Sequence, residues 1–395
     1  MLDQSGRQKN IYFIPFSNFF FMKVGFLIRR LGFGGAERQL ICLATGLVKR
    51  GHEIVVFTYY KNETLDPDLV REGVRLVCLD KAGKWETVSF LYRLIWNLRK
   101  ENLDILYSFS ISANVVGRIS VYLVNPRPKL VWRIATSYLD YSRYDFSAKF
   151  LSWVERAFSR TVPLVVSNSY AGRKYALETG FKSPLIEVIP NGISISDPCL
   201  TPVLIKDLRR QWGVPVGSKL VGIVGRIDPI KGYEVFINAA KKINDQSRST
   251  YFLCLGDGPP GYLALLKAMV REYKLESRFI WLSASKDVHK IMSCLDVLAC
   301  PSLGEGFPNV VAEGLLCGVL TVASDVGDVA KIIPRDDFVV NNLTGENFAI
   351  AIIKALDTVG SENLEYRLLC QKLMVEKYSV DRYLDRTENL LMKYL

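Results

Sequence analysis

The stretch Pro301-Ser-Leu-Gly-Glu305-Gly-Phe-Pro-Asn-Val-Val-Ala-Glu313 decides how the rest of the chain is interpreted. The apolar run Val297–Cys300 predicts a strand before it, and Pro308 is a residue favoured at the first position of a helix. Glu305 then lies in the intervening loop, and Glu313 lies about a turn and a half into the helix. Free backbone N–H groups at a helix start favour an anion, and a carboxylate beside them accepts hydrogen bonds from hydroxyls. The stretch therefore predicts a site for a ligand that is both a polyol and an anion.

Short apolar or β-branched runs alternate with helical patterns from Met22 to the end of the chain. Runs that predict strands lie at residues 24–28, 54–58, 74–79, 104–109, 130–134, 164–167 and 186–189, and again at 220–224, 251–255, 279–282, 297–300 and 320–323. Continuous apolar strands separated by helices predict parallel sheets that are covered on both faces. A polar interval at 191–202 divides the two series and predicts an interdomain linker. We therefore expect an α/β protein with two doubly wound domains, whose ligands lie at the carboxyl ends of the strands.

The composition excludes several classes of protein. The 395 residues suffice for two or three domains, and 49% of them are hydrophobic and 23% charged. No apolar run reaches about 18 residues, so we expect no transmembrane helix. Eight cysteines without regular spacing favour reduced thiols in a cytoplasmic enzyme, and only two histidines are present, too few for a histidine-rich metal site. Residues 1–21, an aromatic-rich tract without periodicity, are expected to be an extra segment outside the fold.

Positive charge is concentrated in the first half of the chain. Residues 22–200 hold 25 Lys and Arg against 16 Asp and Glu, a balance of +9, whereas residues 201–395 hold 24 against 23, a balance of +1. Basic surfaces serve nucleic acid, anionic lipid or phosphorylated substrates. Since the chain contains no nucleic-acid motif, we expect a membrane surface or a phosphorylated acceptor, and no nucleic acid.

Paired glycines follow the first predicted strand, in Gly32-Phe-Gly34-Gly35-Ala-Glu37. Glycines between a strand and a helix let the backbone approach a ligand closely, and the helix start favours an anion. A dinucleotide-binding fingerprint would require Gly or Ala at position 37. Glu37 places a long side chain there, so the fingerprint is broken and an NAD site is disfavoured.

Two cations lie in the loop after the first strand of the second series, in Gly225-Arg226-Ile-Asp-Pro-Ile-Lys231-Gly232. Arginine offers a planar fork to phosphate oxygens and lysine a compact charge, so together they can hold a diphosphate and stabilise it as a leaving group. A solvated basic loop is the alternative interpretation. Position favours the diphosphate, because the same sheet edge also receives Glu305 and Glu313.

The chain resembles retaining GT-B glycosyltransferases, in particular glycosyltransferase family 4, over residues 22–395. The motifs that carry the resemblance are Gly34-Gly35-Ala-Glu, Pro190-Asn191-Gly192, Arg226-x4-Lys231-Gly, Gly256-Asp257-Gly258-Pro259, and Glu305 and Glu313 within Pro-Ser-x-x-Glu-Gly-Phe-Pro-Asn. The resemblance implies the GT-B architecture, in which two Rossmann-like parallel-sheet domains face each other across a cleft.

The resemblance also assigns roles to individual residues. The implied donor-binding set is Gly34, Gly35, Arg226, Lys231, Glu305, Gly306, Phe307, Asn309, Val310 and Glu313, with Glu305, Arg226 and Lys231 as the catalytic members. In this assignment Glu305 and the backbone after it bind the hydroxyls of the donor sugar, and Glu313 binds those of the ribose. The glycine pair closes over the diphosphate, which the two cations hold without a metal or a cofactor.

One departure from the family concerns the first domain. Many members carry a histidine near the donor sugar, in loops that correspond here to residues 108–112 and 133–138, and neither loop contains one. Ser110, Arg133 and Thr136 are the polar candidates left in these loops.

Three further features are interpreted as structural. Asp66-Pro-Asp68 spells the Asp-x-Asp of metal-dependent GT-A transferases, but it lies in a polar stretch away from the expected cleft and is interpreted as a solvated turn. His52 begins a strand. His289 lies in a helical stretch and is interpreted as a surface or packing residue.

The expected division of the chain is an N-terminal acceptor domain at 22–195, a nucleotide-sugar donor domain at 196–375, and a C-terminal helix at 376–395 that crosses back to the first domain. Residues 84–100 and 138–160 mix aromatic with basic side chains, which is typical of core stripes or of helices in a bilayer interface.

The expected function is transfer of a sugar, with retention, from a nucleoside diphosphate donor, UDP rather than GDP, to a lipid-linked saccharide. The expected setting is bacterial surface polysaccharide assembly, with the enzyme peripheral at the inner face of an anionic cell membrane. Four alternatives stay open: a disaccharide synthase, a sugar-nucleotide epimerase, an NAD-dependent oxidoreductase and a catalytically silent nucleotide-sugar-binding protein.

Overall fold

A computed structural model of the protein describes residues 21–32, 34–60, 66–83, 86–135, 146–194, 200–246, 249–358 and 361–395. The extra segment expected at 1–21 therefore lies, except for Phe21, outside the described residues. The same is true of Trp85, Thr136 and Tyr138, which the sequence had pointed to as interfacial or cleft residues.

The first domain is built on a parallel sheet with the strand order β3-β2-β1-β4-β5-β6-β7. Its described strands are β1 (Lys23–Ile28), β2 (Glu53–Thr58), β3 (Arg75–Cys78), β4 (Ile105–Phe109), β5 (Lys129–Ile134), β6 (Leu164–Ser167) and β7 (Leu185–Val188). Its described helices are α1 (Gly35–Lys49), α2 (Asp66–Arg71), α3 (Val88–Glu101), α4 (Ile111–Tyr122), α5 (Phe146–Ser159) and α6 (Tyr170–Glu178). The first and last residues of each strand lie within one residue of the ends of the apolar run that predicts it.

The second domain repeats this plan with the strand order β10-β9-β8-β11-β12-β13. Its described strands are β8 (Lys219–Val224), β9 (Thr250–Leu255), β10 (Phe279–Leu282), β11 (Val297–Cys300), β12 (Leu320–Ser324) and β13 (Val339–Val340). The helices that follow the linker are α7 (Pro202–Gln211), α8 (Tyr233–Gln246), α9 (Pro260–Glu272), α10 (Val288–Ser293), α11 (Asn309–Leu316), α12 (Val329–Ile332), α13 (Gly345–Asp357), α14 (Ser361–Tyr378) and α15 (Val380–Tyr394). The predicted class of two doubly wound parallel sheets is confirmed. The sequence missed β13 because two residues are too few to form a recognisable run.

Apolar side chains on both faces of each sheet explain why the strands are apolar throughout. In the first domain Phe26 and Tyr107 pack on one face, where their ring centroids lie 5.8 Å apart, and Trp132 is fully buried in the cluster on the other. Parallel strands buried on both faces need this continuous pattern. The polar residues that could bind a ligand are thereby confined to the ends of the strands.

The C-terminal segment crosses back onto the first domain. The helix expected at 376–395 begins four residues later, because α14 ends at Tyr378 and Ser379 caps α15 by accepting a hydrogen bond from the Arg382 N–H at 3.4 Å. In α15, Tyr383 and Leu384 are buried in the core of the first domain. The two domains are therefore joined by a second chain crossing besides the linker.

The Asp-x-Asp stretch is helical, so its interpretation as a turn is wrong. Asp66 begins α2, and Pro67 occupies an early helical position where a missing N–H costs nothing. Within the described ranges, no helix has the length and apolar character needed to cross a bilayer.

Candidate active site

Lys231 and Glu305 meet at the carboxyl end of the second sheet. Lys231 Nζ donates a hydrogen bond to Glu305 Oε1 at 2.6 Å, and Ser302 Oγ donates to the same oxygen at 2.7 Å. Gly232 has φ +70°, and a Cβ on it would lie 1.9 Å from the Pro301 carbonyl oxygen. Only glycine permits this approach of the two loops, so the Lys-Gly pair in the sequence is what sets Lys231 against Glu305.

The charge of Lys231 is maintained by its partner. Burial disfavours the ammonium form, but the Glu305 carboxylate outweighs burial and raises the pKa of Lys231, while the charge of Arg226 acts in the opposite direction. Lys231 is therefore protonated at neutral pH. Arg226 lies at the rim, with 70% of its side chain exposed, and pairs with Asp228 at 3.0 Å. The site thus holds one enclosed cation and one solvated cation.

Glu313 is buried in α11 and ionised by two neighbours. Arg38 Nη2 lies 3.1 Å from its Oε1, and His289 Nε2 lies 3.8 Å from its Oε2. Burial raises the pKa of this carboxyl, but His289 and Arg38 together lower it below its usual value. The interpretation of His289 as a surface residue is wrong, because it is 8% exposed and faces Glu313. Arg38 belongs to α1, so this ion pair joins the two domains.

Two further contacts join the domains beside this pair. Asn191 Nδ2 donates to Asn309 Oδ1 at 2.7 Å, and a Cβ on Gly35 would lie 2.8 Å from Asn309 Nδ2. Asp328, in the loop after β12, accepts hydrogen bonds from the backbone N–H groups of Tyr170 at 2.8 Å and Ala171 at 2.9 Å. A second-domain carboxylate thus satisfies the free N–H groups at the start of first-domain helix α6.

One residue predicted for the donor, Phe307, has its side chain in the core. Phe307 is 4% exposed and packs against the Tyr378 ring with a centroid distance of 5.1 Å, so its side chain belongs to the core. Helix α11 begins at Asn309, with Pro308 as its N-cap rather than its first helical residue. The N–H groups of Asn309 and Val310 have no acceptor within the helix and remain available to a ligand.

Arg133 is not placed at a ligand. It is 3% exposed, Nη1 donates to the Tyr383 hydroxyl at 3.1 Å, and Nη2 donates to Asn191 Oδ1. Its guanidinium therefore ties β5 to α15 and to the linker. Ser110 is the exposed N-cap of α4, with φ 113°.

Several residues of the site were missed from the sequence. Arg38 and Asp328 form contacts that depend on how the domains meet, and no spacing in the sequence reports this. The bond from Ser302 to Glu305 is local, within residues 301–313, but the sequence alone assigned it no role. Arg38 could have been predicted from its position one helical turn after the glycine pair, because that helix face points to the cleft. Among the described residues no group of three or more His, Cys, Asp and Glu is arranged to hold a metal ion.

Comparisons with known proteins agree with the two-domain frame. Residues 218–358 match the family model described as Glycosyl transferases group 1, and residues 33–197 match the model described as Glycosyltransferase Family 4. The chain belongs to the family 4, group 1 glycosyltransferases. Both halves of the predicted resemblance are thereby confirmed.

Two relatives of this glycosyltransferase are identical to it at 24% of the aligned residues. It is 24% identical over 348 residues to the phosphatidylinositol N-acetylglucosaminyltransferase GPI3 subunit of Saccharomyces cerevisiae, covering 82% of this chain and 74% of the relative. It is also 24% identical over 348 residues to the UDP-Gal:alpha-D-GlcNAc-diphosphoundecaprenol alpha-1,3-galactosyltransferase of Escherichia coli, covering 84% and 85%. The crystal structure of Anabaena HepE in complex with UDP-glucose superposes with a TM-score of 0.83 at 22% identity, covering 94% of this chain and 100% of HepE. The GT-B fold is confirmed.

Proposed function

We propose that this glycosyltransferase moves a sugar, with retention of anomeric configuration, from a UDP-sugar to a lipid-linked saccharide in bacterial surface polysaccharide assembly. The observation that carries the proposal is the pairing of Lys231 with Glu305 beside the start of α11, one turn before the buried carboxylate of Glu313. At one sheet edge, an enclosed cation and a helix start can bind a diphosphate. The two carboxylates there can accept hydrogen bonds from the hydroxyls of the sugar and of the ribose.

The ion pair between Lys231 and Glu305 is a contact that a donor can exchange for its own. A diphosphate entering the cleft offers Lys231 stronger anionic oxygens than a single carboxylate. Glu305, released from the lysine, can then accept hydrogen bonds from the hydroxyls of the sugar. When the bond between the anomeric carbon and the diphosphate breaks, the electron pair stays with the diphosphate, and Lys231 and Arg226 stabilise the added charge.

The choice of UDP and of a lipid-linked acceptor is supported by the relatives. HepE was crystallised with UDP-glucose, and the Escherichia coli relative is named for UDP-Gal and for an acceptor carried on diphosphoundecaprenol. The yeast relative is named for phosphatidylinositol, which is also a lipid. A screen of UDP- and GDP-sugars for donor hydrolysis and for transfer to saccharide lipids tests the proposal. Absence of both activities, with UDP bound, would favour a silent binding protein, and turnover of NAD would favour an oxidoreductase.

Transfer is expected to continue without a divalent metal. Because Lys231 and Arg226 supply the positive charge at the diphosphate, excess EDTA should leave most of the rate intact. The measurement is the initial rate of UDP release before and after dialysis against EDTA. Loss of activity that Mg²⁺ or Mn²⁺ restores would contradict this account and would return attention to Asp66 and Asp68.

An exposed aromatic face on the first domain supports peripheral contact with a membrane. We define this face by Tyr92 and Trp96 of α3 and by Phe150 and Trp153 of α5, which are 54% to 70% exposed. Phe150 and Trp153 stack at 5.9 Å, and Lys100 Nζ lies 5.3 Å from the Trp96 ring. Both helices pack against α4, and aromatic and basic side chains on one side of a domain suit the headgroup level of an anionic bilayer, where each nearby cation adds about 1 kcal/mol.

Binding to vesicles should depend on both the charge and the aromatic rings of this face. The protein should cosediment with anionic but not neutral vesicles, and binding should be lost near about 0.5 M salt, where the Debye length is about 4 Å. Trp96→Ala with Trp153→Ala should weaken binding about tenfold, whereas Leu265→Ala, a 52% exposed apolar residue of the second domain, should not. No binding to anionic vesicles at low salt would leave a soluble acceptor as the better proposal.

A further inference from the structure

Two exposed arginines, Arg29 and Arg30, follow β1 directly at the edge of the sheet that faces the cleft. Both stack on one ring, since the guanidinium carbon of Arg29 lies 5.7 Å and that of Arg30 lies 5.6 Å from the Tyr60 centroid. The backbone fixes the same arrangement, because Tyr59 N and Tyr60 N donate to the Arg29 carbonyl oxygen at 3.2 and 3.4 Å. Stacking on an aromatic ring restricts a guanidinium to fewer orientations, which lowers the entropy lost when a ligand binds.

A third cation stands at the same edge. Lys81 follows β3, and its backbone N–H donates to the Tyr59 carbonyl oxygen at 2.8 Å. Its Nζ donates to the Gly83 carbonyl oxygen and lies 5.7 Å from the Phe90 ring centroid, which holds the ammonium beside this edge. We call Arg29, Arg30, Tyr60 and Lys81 the basic edge. In the described ranges no ion pair involves Arg29 or Arg30, whereas Lys231 of the donor site pairs with Glu305. Like charges gathered at one edge repel one another, and an anion between them would remove that cost.

The basic edge belongs to the cleft but not to the donor diphosphate. Arg29 lies six residues before Gly35 in the chain, and Gly35 approaches Asn309 of the second domain. Six residues span at most about 22 Å, so an anion at the basic edge lies within that reach of the donor pocket. The donor diphosphate already has Lys231 and Arg226 on the opposite wall. A second anion site on the first domain therefore fits the other substrate.

We propose that the acceptor carries a phosphate or diphosphate next to the sugar that is extended, and that the basic edge binds it. Two guanidinium forks and an ammonium suit an anion with several oxygens, and a carboxylate on a sugar would use only one fork. This inference rests on the proposed function, since it names the class of acceptor for the same transfer. It assigns Arg29, Arg30 and Lys81 as specificity determinants for that group.

Binding of a simple anion tests the site without requiring turnover. Inorganic pyrophosphate is titrated into the whole protein in saturating UDP, which occupies the donor phosphate site. The expected result is one bound pyrophosphate, weakened tenfold or more in the double variant Arg29→Ala with Arg30→Ala. The matched control is Arg118→Ala with Arg127→Ala, because these arginines also share one ring, at 5.6 and 4.9 Å from the Tyr122 centroid, on the outer side of the domain. No pyrophosphate binding, or equal weakening in the control, would overturn the inference.

Acceptor kinetics distinguish the sources of the phosphate. A short-chain alkyl diphosphate sugar is compared with the alkyl glycoside of the same sugar, in solution without a bilayer, so that anionic lipid plays no part. The wild type should prefer the diphosphate in kcat/KM by tenfold or more, and the double variant should lose this preference while its rate with the plain glycoside changes less than about threefold. A preference that survives in the double variant, or a raised KM for the donor instead, would overturn the inference. A protein that neither binds UDP nor hydrolyses any donor would contradict the proposed function, whereas the pyrophosphate result would still decide the basic edge.

Discussion

Lys231→Ala is expected to lower kcat by about a hundredfold or more while the fold survives. Lys231 is the enclosed cation of the site, and its ammonium lies 2.6 Å from Glu305 Oε1. Removing one preorganised group that stabilises charge in the transition state typically costs about 10² to 10³ in kcat. Because this charge grows only as the bond to the diphosphate breaks, kcat should fall more than the KM for donor rises.

The control for this variant is Lys241→Ala, which removes a cation from α8 that lies 4.3 Å from the Tyr273 ring, outside the site. Lys231→Ala also leaves Glu305 without its partner, so circular dichroism and thermal unfolding must accompany the kinetics. A purified, folded Lys231→Ala protein that works within a few-fold of wild type would remove Lys231 from the leaving-group role.

Glu305 and Glu313 are expected to give different kinetic profiles when each is replaced by alanine. Glu305→Ala should mainly lower kcat, about tenfold to a hundredfold, since its carboxylate is assigned to the reacting sugar. Glu313→Ala should mainly raise the KM for donor by a similar factor, because hydrogen bonds to a charged group contribute about 1.5–3 kcal/mol. Steady-state kinetics with the donor varied at saturating acceptor measure both effects.

The Glu313 variant needs its own control, because that carboxylate also neutralises Arg38 and contacts His289. Glu313→Gln keeps the shape and one acceptor oxygen, so it should retain more donor affinity than the alanine variant. Arg38→Ala, which removes the partner across the cleft but not the carboxylate, should have a smaller effect on KM. Indistinguishable profiles for the Glu305 and Glu313 variants would mean that the two roles are divided wrongly.

The sequence predicted the fold closely because strands buried on both faces leave a direct signal. Every predicted apolar run became a strand, and only the two-residue β13 escaped. The motif residues Lys231 and Glu305 were also placed together correctly, since loops that follow neighbouring parallel strands such as β8 and β11 meet at one edge. Apolar periodicity belongs to a single chain segment, and the carboxyl ends of parallel strands always share one edge of the sheet. Both can therefore be predicted without a structure.

What the sequence did not predict depends on the meeting of distant segments. The capping of α6 by Asp328 and the pairing of Arg38 with Glu313 join residues of different domains, and neither partner shows an unusual pattern in its own neighbourhood. The sequence leaves His289 open as a surface or a packing residue, because a lone histidine in a short helix gives no indication of its burial; the structure buries it against Glu313. Arg133 looked like a cleft residue by position, but the crossing of α15 covers it.

Calorimetric titration of UDP tests the central claim most directly. The account predicts that the wild type binds UDP, that Lys231→Ala and Glu313→Ala each weaken binding by tenfold or more, that Lys241→Ala leaves it unchanged, and that NAD does not bind. UDP binding that is absent in the wild type, or that is as strong in both site variants as in the wild type, would contradict the assignment of Lys231 and Glu313 to the donor site.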